Sequence, residues 1–195
     1  MSQRRLLLVG CGILQVEVRC LIAANAWPVD VAFLPSALHI DFDKLEHSLS
    51  GALARYAERD VVVFYGCCHP RMEQLLKPAR AVRTVGQNCV EMLLGPEVFT
   101  QELTNGAFFL LEEWARDWHH IVTRSFGTSR IEVIRDMFKG DRNYLLALRT
   151  PCSGVFAAEA RAAAELVDLP LRWRDVTLEH LESVLRDAFE QKRRE

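Results

Sequence analysis

The stretch VVVFYGCCHP, Val61–Pro70, decides how the chain is read. Three consecutive valines and a phenylalanine, with no polar alternation, mark a strand covered on both faces, as in a parallel sheet flanked by helices. Gly66 ends the run, and two adjacent cysteines and a histidine follow at once. Such an ending admits three readings: a disulfide, a metal site, or small residues filling a turn.

The same alternation of apolar run, punctuation and helical stripe extends in both directions. Upstream, RLLLVG (Arg5–Gly10) reads as a strand, and Leu14, Val18, Leu21 and Ile22 then recur at helical spacing. VDVAFLP (Val29–Pro35) is the second strand. Leu45, Leu49, Leu53 and Tyr56 form the stripe of a helix capped by Asp41 or Asp43. Downstream, a short helix around Met72–Leu76 leads to a fourth strand, RAVRTVG (Arg80–Gly86), and Cys89 opens a helix. GAFFLLEEW (Gly106–Trp114) is strand five, and Trp118–Phe138 is helical with a break near Gly127. NYLLALRT (Asn143–Thr150) is strand six, VFAAEARAAAELV (Val155–Val167) a helix, and LRWRDVT (Leu171–Thr177) an edge strand with alternating charges. A last helix carries Leu181, Val184, Leu185, Ala188 and Phe189 on one face. This alternation predicts an α/β fold: a mainly parallel sheet with helices on both faces, doubly wound and Rossmann-like. Residues 1–195 are expected to form a single α/β domain, with two lobes dividing near 115–140.

Composition narrows the function classes. Half of the 195 residues are apolar and about a quarter are charged, an ordinary globular balance. A net charge of −2 leaves no basic excess to hold phosphates, so nucleic acid is not an expected partner. No run approaches the ~20 apolar residues of a membrane span. The start, MSQRRLLLVGCGILQ, has the charge and apolar run of a signal peptide but no small-residue cleavage pattern, and it continues as strand, turn and helix. The expected location is cytoplasmic. Thiols stay reduced there, so six cysteines point to metal or redox chemistry before structural disulfides.

Position says more than local spacing. Cys11 follows strand one, His39 strand two, and Cys67, Cys68 and His69 strand three. Cys89 lies three residues past the glycine closing strand four, and Cys152 follows strand six. In a parallel sheet these places share the carboxyl edge, where ligands bind. Several also open helices, whose N-termini stabilise a thiolate. The plain alternative is that cysteine is a small, commonly buried residue suited to tight turns. No C-x-x-C pair supports a local zinc motif. GCG at Gly10–Gly12 is not a dinucleotide fingerprint, because Gln15 stands at the third glycine position. Cys20, inside the first helix, reads as packing. Glu17 is a weak catalytic candidate, with a surface glutamate as the alternative. His119 and His120 are adjacent on a helix and point to different faces, and His47 and His180 read as solvated.

Four stretches together resemble a known family. LPSALH (Leu34–His39), YGCC (Tyr65–Cys68), NCVEMLLG (Asn88–Gly95) and Trp114 resemble the domain-of-unknown-function family 1638. Its members look like L-P-x-x-L-H, then Y-G-x-C-G, then D-C-x-x-x-L-L-G, after a Cys-Glu pair that follows the first strand. The resemblance covers nearly the whole chain and singles out Cys11, His39, Cys68 and Cys89. It implies no established reaction. It does imply genomic association with corrinoid-dependent methyl transfer and one-carbon metabolism, which is not a mechanism. This sequence departs from the pattern at Gly12 (Glu in the family), at Asn88 (Asp), and at Cys67 and His69, which replace another residue and a glycine.

The expectation is therefore a metal-binding α/β protein. Cys11, Cys68, Cys89 and His39 are its candidate ligands, and Cys67 and His69 are additional candidates. Zinc or an iron–sulfur cluster suits such donors, and a corrinoid or methyltransferase-type protein is the partner the resemblance implies. Two alternatives stand beside it: a metal-independent thiol or redox enzyme using Cys67 and Cys68, and a non-enzymatic module that binds a small molecule or partner.

Overall fold

The computed structural model describes residues 5–195; the charged start, Met1–Arg4, lies outside the described residues. The first sheet contains β1 (Leu6–Cys11), β2 (Val29–Leu34), β3 (Val61–Phe64) and β4 (Val82–Arg83), in the order β2-β1-β3-β4. Every pairing is parallel. β1 and β3 are buried at all positions, as the unbroken apolar runs require, whereas the edge strand β2 is fully buried only at Val29. A 3-10 turn, Gly12–Leu14, leads from β1 into α1 (Gln15–Ala24), and α2 (Phe42–Arg55), α3 (Met72–Leu76) and α4 (Cys89–Leu94) follow.

Side-chain caps set two of these helix starts. The Asp41 carboxylate accepts the Lys44 N–H at 3.1 Å to open α2, and the Asn88 side-chain oxygen accepts the Glu91 N–H at 3.0 Å to open α4. The second cap makes Cys89 the first residue of its helix.

The second sheet is also parallel. Its elements are α5 (Pro96–Thr104), β5 (Ala107–Leu110), α6 (Glu112–Arg116), α7 (Trp118–Phe126), α8 (Ile131–Asp141), β6 (Tyr144–Arg149), α9 (Ala157–Val167) and β7 (Leu171–Asp175), with strand order β5-β6-β7. β7 is an edge strand, as its alternating charges predict. α10 (Glu179–Arg194) completes the chain's described elements.

The doubly wound α/β reading holds, but the strands form two sheets rather than one. The chain divides into Met1–Gly95 with Leu178–Glu195, and Pro96–Thr177. The break falls at Gly95, whose φ of 82° ends α4, and at the proline after it. Residues 115–140, where a division was expected, are instead interior to the second unit. Trp118, Ile134 and Phe138 are buried there with Leu145 and Phe156. A helix break at Gly127, a left-handed cap, produced the appearance of a boundary.

α10 belongs to the first unit. Leu181, Leu185, Ala188 and Phe189 are its buried face, and it packs on α4, β3 and β4. Phe189 meets Trp27 edge-on at 5.2 Å, Arg186 lies over the same indole, and Lys192 Nζ donates to the Arg80 carbonyl at 2.7 Å. Among the described residues no helix is long and apolar enough to cross a membrane.

Candidate functional site

The order β2-β1-β3-β4 reverses direction between β1 and β3, the kind of crevice where doubly wound sheets bind ligands. Both strands end there on chemistry-bearing residues. Cys11 is the last residue of β1 and only 3% exposed, and its Sγ donates to the Ser36 carbonyl at 3.5 Å. β3 runs out into Tyr65, Gly66, Cys67 and Cys68, and the Asn88 cap delivers Cys89 from the neighbouring turn.

These turns are stitched closely together. A Cβ on Gly66 would stand 2.2 Å from the Gln87 carbonyl oxygen and 2.6 Å from Asn88 Cα, so only glycine allows this approach. Cys67 N–H donates to that same Gln87 carbonyl at 2.7 Å. The Thr84 hydroxyl lies 3.4 and 3.3 Å from the carbonyls of Val63 and Tyr65. Arg83 Nη1 donates to the carbonyls of Thr84 and Gly86 at 3.1 and 3.4 Å, while its Nε holds Glu73 at 3.0 Å.

Electrostatics identifies the groups that face one another. A hydrogen bond with Cys11 is the first cause that pushes the Cys89 thiol well above the ordinary thiol range, followed by burial and by charge on Cys11 and Cys68. Burial pushes Cys68 up to about 11, with smaller contributions from Cys11 and Cys67; a backbone hydrogen bond at Gly66 and the Arg83 cation act the other way. Burial, then Cys11, Cys89 and Cys68, raises the Tyr65 hydroxyl as well. Cys11, Cys68, Cys89 and Tyr65 therefore form one cluster. Cys68 and Cys89 carry their protons at neutral pH, because anionic sulfur is disfavoured both by enclosure and by its neighbours.

His39 stands one step away, in the 3-10 turn Leu38–Ile40. Burial lowers its pKa, against the effect of a hydrogen bond with the Ser36 backbone, so the imidazole is neutral at pH 7. Cys11 and His39 thus share Ser36 as a partner. Cys67 is exposed, with Sγ 3.9 Å from the Gly86 carbonyl. His69 is 5% exposed and its ring is committed elsewhere. Nδ1 accepts the Arg71 N–H at 3.0 Å, Nε2 lies 3.5 Å from Glu46, and Phe42 meets the ring edge-on.

Glu17 is buried at 7% exposure rather than on the surface. Cys20 is half-buried on α1. Cys152 follows β6 in the second unit, where its N–H donates to Thr150 Oγ1 at 3.3 Å, so it is not on the sheet edge that carries the other thiols. None of the six cysteines is in a disulfide. Two residues outside the sequence-based candidates also emerge. Tyr65 Oη and Glu91 Oε2 are both buried and make no hydrogen bond. A tyrosine ending a valine run reads as core. Its position beside Gly-Cys-Cys was the signal available.

Thiols are donors that suit soft cations. Cys11, Cys68 and Cys89 come from three separate turns and act on one another electrostatically, near a buried phenol oxygen that makes no hydrogen bond. Among the described residues, no three or more His, Cys, Asp or Glu side chains are already gathered as a set that could hold a metal ion.

The molecule is thus a doubly wound parallel α/β protein with a thiol cluster at the reversal of its strand order. The family model described as Protein of unknown function (DUF1638) matches residues 33–185, and the chain belongs to this family. The matched segment contains His39, Cys68 and Cys89, whereas Cys11 and Glu17 precede it. No curated protein and no solved structure matches the chain.

Proposed function

We propose that the carboxyl end of the first sheet is a metal centre with Cys11, Cys68 and Cys89 as thiolate ligands, holding zinc or an iron–sulfur cluster. One observation carries this reading: two buried thiols and one half-buried thiol from separate turns act on one another, and their mutual influence disfavours thiolate until a cation is present. A bound cation reverses that penalty, since coordination takes the thiol proton and the metal charge offsets the sulfur charges. His39, neutral and tied to the same Ser36 backbone as Cys11, is a further candidate ligand.

The competing thiol–redox reading of Cys67 and Cys68 is weaker. A reactive cysteine needs a lowered pKa, and Cys68 has a raised one. We assign a cytoplasmic location, where thiols stay reduced. A corrinoid or methyltransferase-type protein is the partner we assign, on the strength of the family's genomic association with one-carbon metabolism. Bound zinc would supply Lewis acidity and hold a thiolate ready for alkyl transfer; a cluster would supply electrons.

The test is purification without oxygen, followed by elemental analysis and a visible spectrum. Near-stoichiometric zinc, or iron with sulfide, is expected, and should be lost in C68S and C89S. A metal-free chain whose cysteines all alkylate freely would refute the reading.

A further inference from the structure

We infer that the open edge of β2 is a docking surface for a second copy of this chain, the two β2 strands pairing antiparallel about a two-fold axis at Val31. None of the residues involved belongs to the thiol cluster.

Among the edge strands of the two sheets, β2 is the longest and the least guarded. It has six residues, against two in β4, four in β5 and five in β7. β7 carries Arg172, Arg174 and Asp175, the kind of charge that keeps an edge from pairing, whereas VDVAFL has a single charged residue and neither lysine nor proline. That residue, Asp30, is held by Arg59 at 2.7 Å and by Arg5 at 2.9 Å.

The register says which backbone groups are open. Leu7 N–H donates to the Asp60 carbonyl, so Leu7 and Val9 face β3 and the alternate residues Leu8 and Gly10 face β2. Leu8 pairs with Val31 and Gly10 with Phe33, and in a parallel ladder their bonds run to the residues flanking each partner, Asp30, Ala32 and Leu34. The N–H and C=O of Val31 and Phe33 therefore point away from the sheet. The Val29 carbonyl does too, while Val29 N–H is taken by the Trp27 carbonyl at 2.8 Å.

This row is complementary to itself. With Val31 opposite the second copy's Val31, the two exchange a pair of bonds, and each Phe33 N–H meets the other copy's Val29 carbonyl. The side chains obey the same symmetry. Val29, Val31 and Phe33 lie on the α1 side, where Arg19 covers the Phe33 ring at 5.2 Å, so valine meets valine and valine meets phenylalanine. On the other side Asp30 faces Ala32 and not a second carboxylate. Beside Val29 and Val31 runs a groove of about 460 Å³ lined by Ile22 and Ala23 of α1, which is where the opposing Phe33 arrives. A slip of one residue destroys both matches. The strand is about 20 Å long, and a sheet with a helix layer on each face is about 30 Å thick. The contact thus takes about 600 Å² from each copy, the lower end of what a specific dimer buries, so the dimer is reversible.

The experiment is sedimentation velocity of the reduced full chain across a dilution series, with amide hydrogen exchange of residues 30–34 at both ends of the series. The reductant excludes dimers made through exposed Cys67. A dimer is expected at tens of micromolar and a monomer on dilution. The Val31 and Phe33 amides should exchange roughly tenfold more slowly in the concentrated sample, since about nine-tenths dimer leaves a tenth open. Asp30, Ala32 and Leu34, already bonded to β1, should not change. Val31→Pro should be a folded monomer, because it removes an N–H that the sheet does not use. Val31→Thr keeps that N–H and the side-chain shape, and should still dimerise.

A wild-type chain that stays monomeric at tens of micromolar would overturn the inference, as would oligomers larger than two. So would a dimer that survives Val31→Pro, since it would use another surface. Should Val31→Pro not fold, the wild-type amides decide: exchange at Val31 and Phe33 that ignores concentration overturns the pairing.

Discussion

Gly66→Ala tests whether the close passage of two turns builds the thiol cluster. The added methyl carbon would sit 2.2 Å from the Gln87 carbonyl oxygen, 2.4 Å from its carbon and 2.6 Å from Asn88 Cα. All three are backbone atoms, so no side chain can swing aside. The turns must separate by about 1 Å to restore ordinary contact, which also stretches the 2.7 Å bond from Cys67 N–H to Gln87. Overpacking of this kind costs about 1–3 kcal/mol, and the lost hydrogen bond adds about 1 kcal/mol. The expected destabilisation is therefore ~2–4 kcal/mol, read from urea unfolding of the full chain. The variant should also expose Cys68 and Cys89 to alkylation in the folded state, because the two sides of the cluster ride on the two turns. Gly51→Ala is the matched control. Gly51 lies within α2 with nothing near its Cβ position, so the same change should stabilise by about 0.5–1 kcal/mol. If G66A unfolds within ~0.5 kcal/mol of the wild type and keeps its thiols protected, the steric argument is wrong.

Iodoacetamide at neutral pH should label exposed Cys67 well before Cys68; a thiol at about 11 instead of 9.0 carries roughly 100-fold less thiolate, and quantitative mass spectrometry of labelled peptides reads the order. Stability of the metal-free reduced chain should be level below pH 9 and fall between 9 and 11, because unfolded Cys68 loses its proton near 9.0 while the folded group keeps it to about 11. Stability that rises across this window by urea titration would contradict the assigned cause. Asp41→Ala should cost about 1 kcal/mol by removing the cap on Lys44 N–H, measured by urea unfolding. Phe189→Ala should cost about 3–5 kcal/mol, since a buried ring in contact with Trp27 is deleted; a loss below ~1 kcal/mol would mean that α10 is not anchored there.

The strands and the loops that follow them were legible because apolar runs and their punctuation are local properties. VVVFYG could hardly be anything but a covered strand, and Cys67 and Cys68 then had to lie at its end. Strand pairing is not local. Nothing in NYLLALRT says whether Tyr144–Arg149 joins β5 or β4, so two sheets read as one and Cys152 was grouped with thiols of the other sheet. Glu17 shows a signal that was present and undervalued. It falls between Leu14 and Leu21 at helical spacing, on the stripe that is buried. His69 shows the reverse: a histidine beside two cysteines looks like a ligand, and only the fold reveals Glu46 and the Arg71 amide at its two nitrogens. Tyr65 could not be told from a core aromatic until its hydroxyl was found without a partner.

The return of α10 to the first unit has a consequence for the order of folding. Synthesis delivers β1 to α4 first, then all of the second unit, and only then the helix that covers α4, β3 and β4. A nascent chain can complete the second unit while the first still exposes apolar surface, an inversion of the usual N-terminal-first sequence of domain folding. α4, which Cys89 opens, is thus among the last elements to acquire its covering helix.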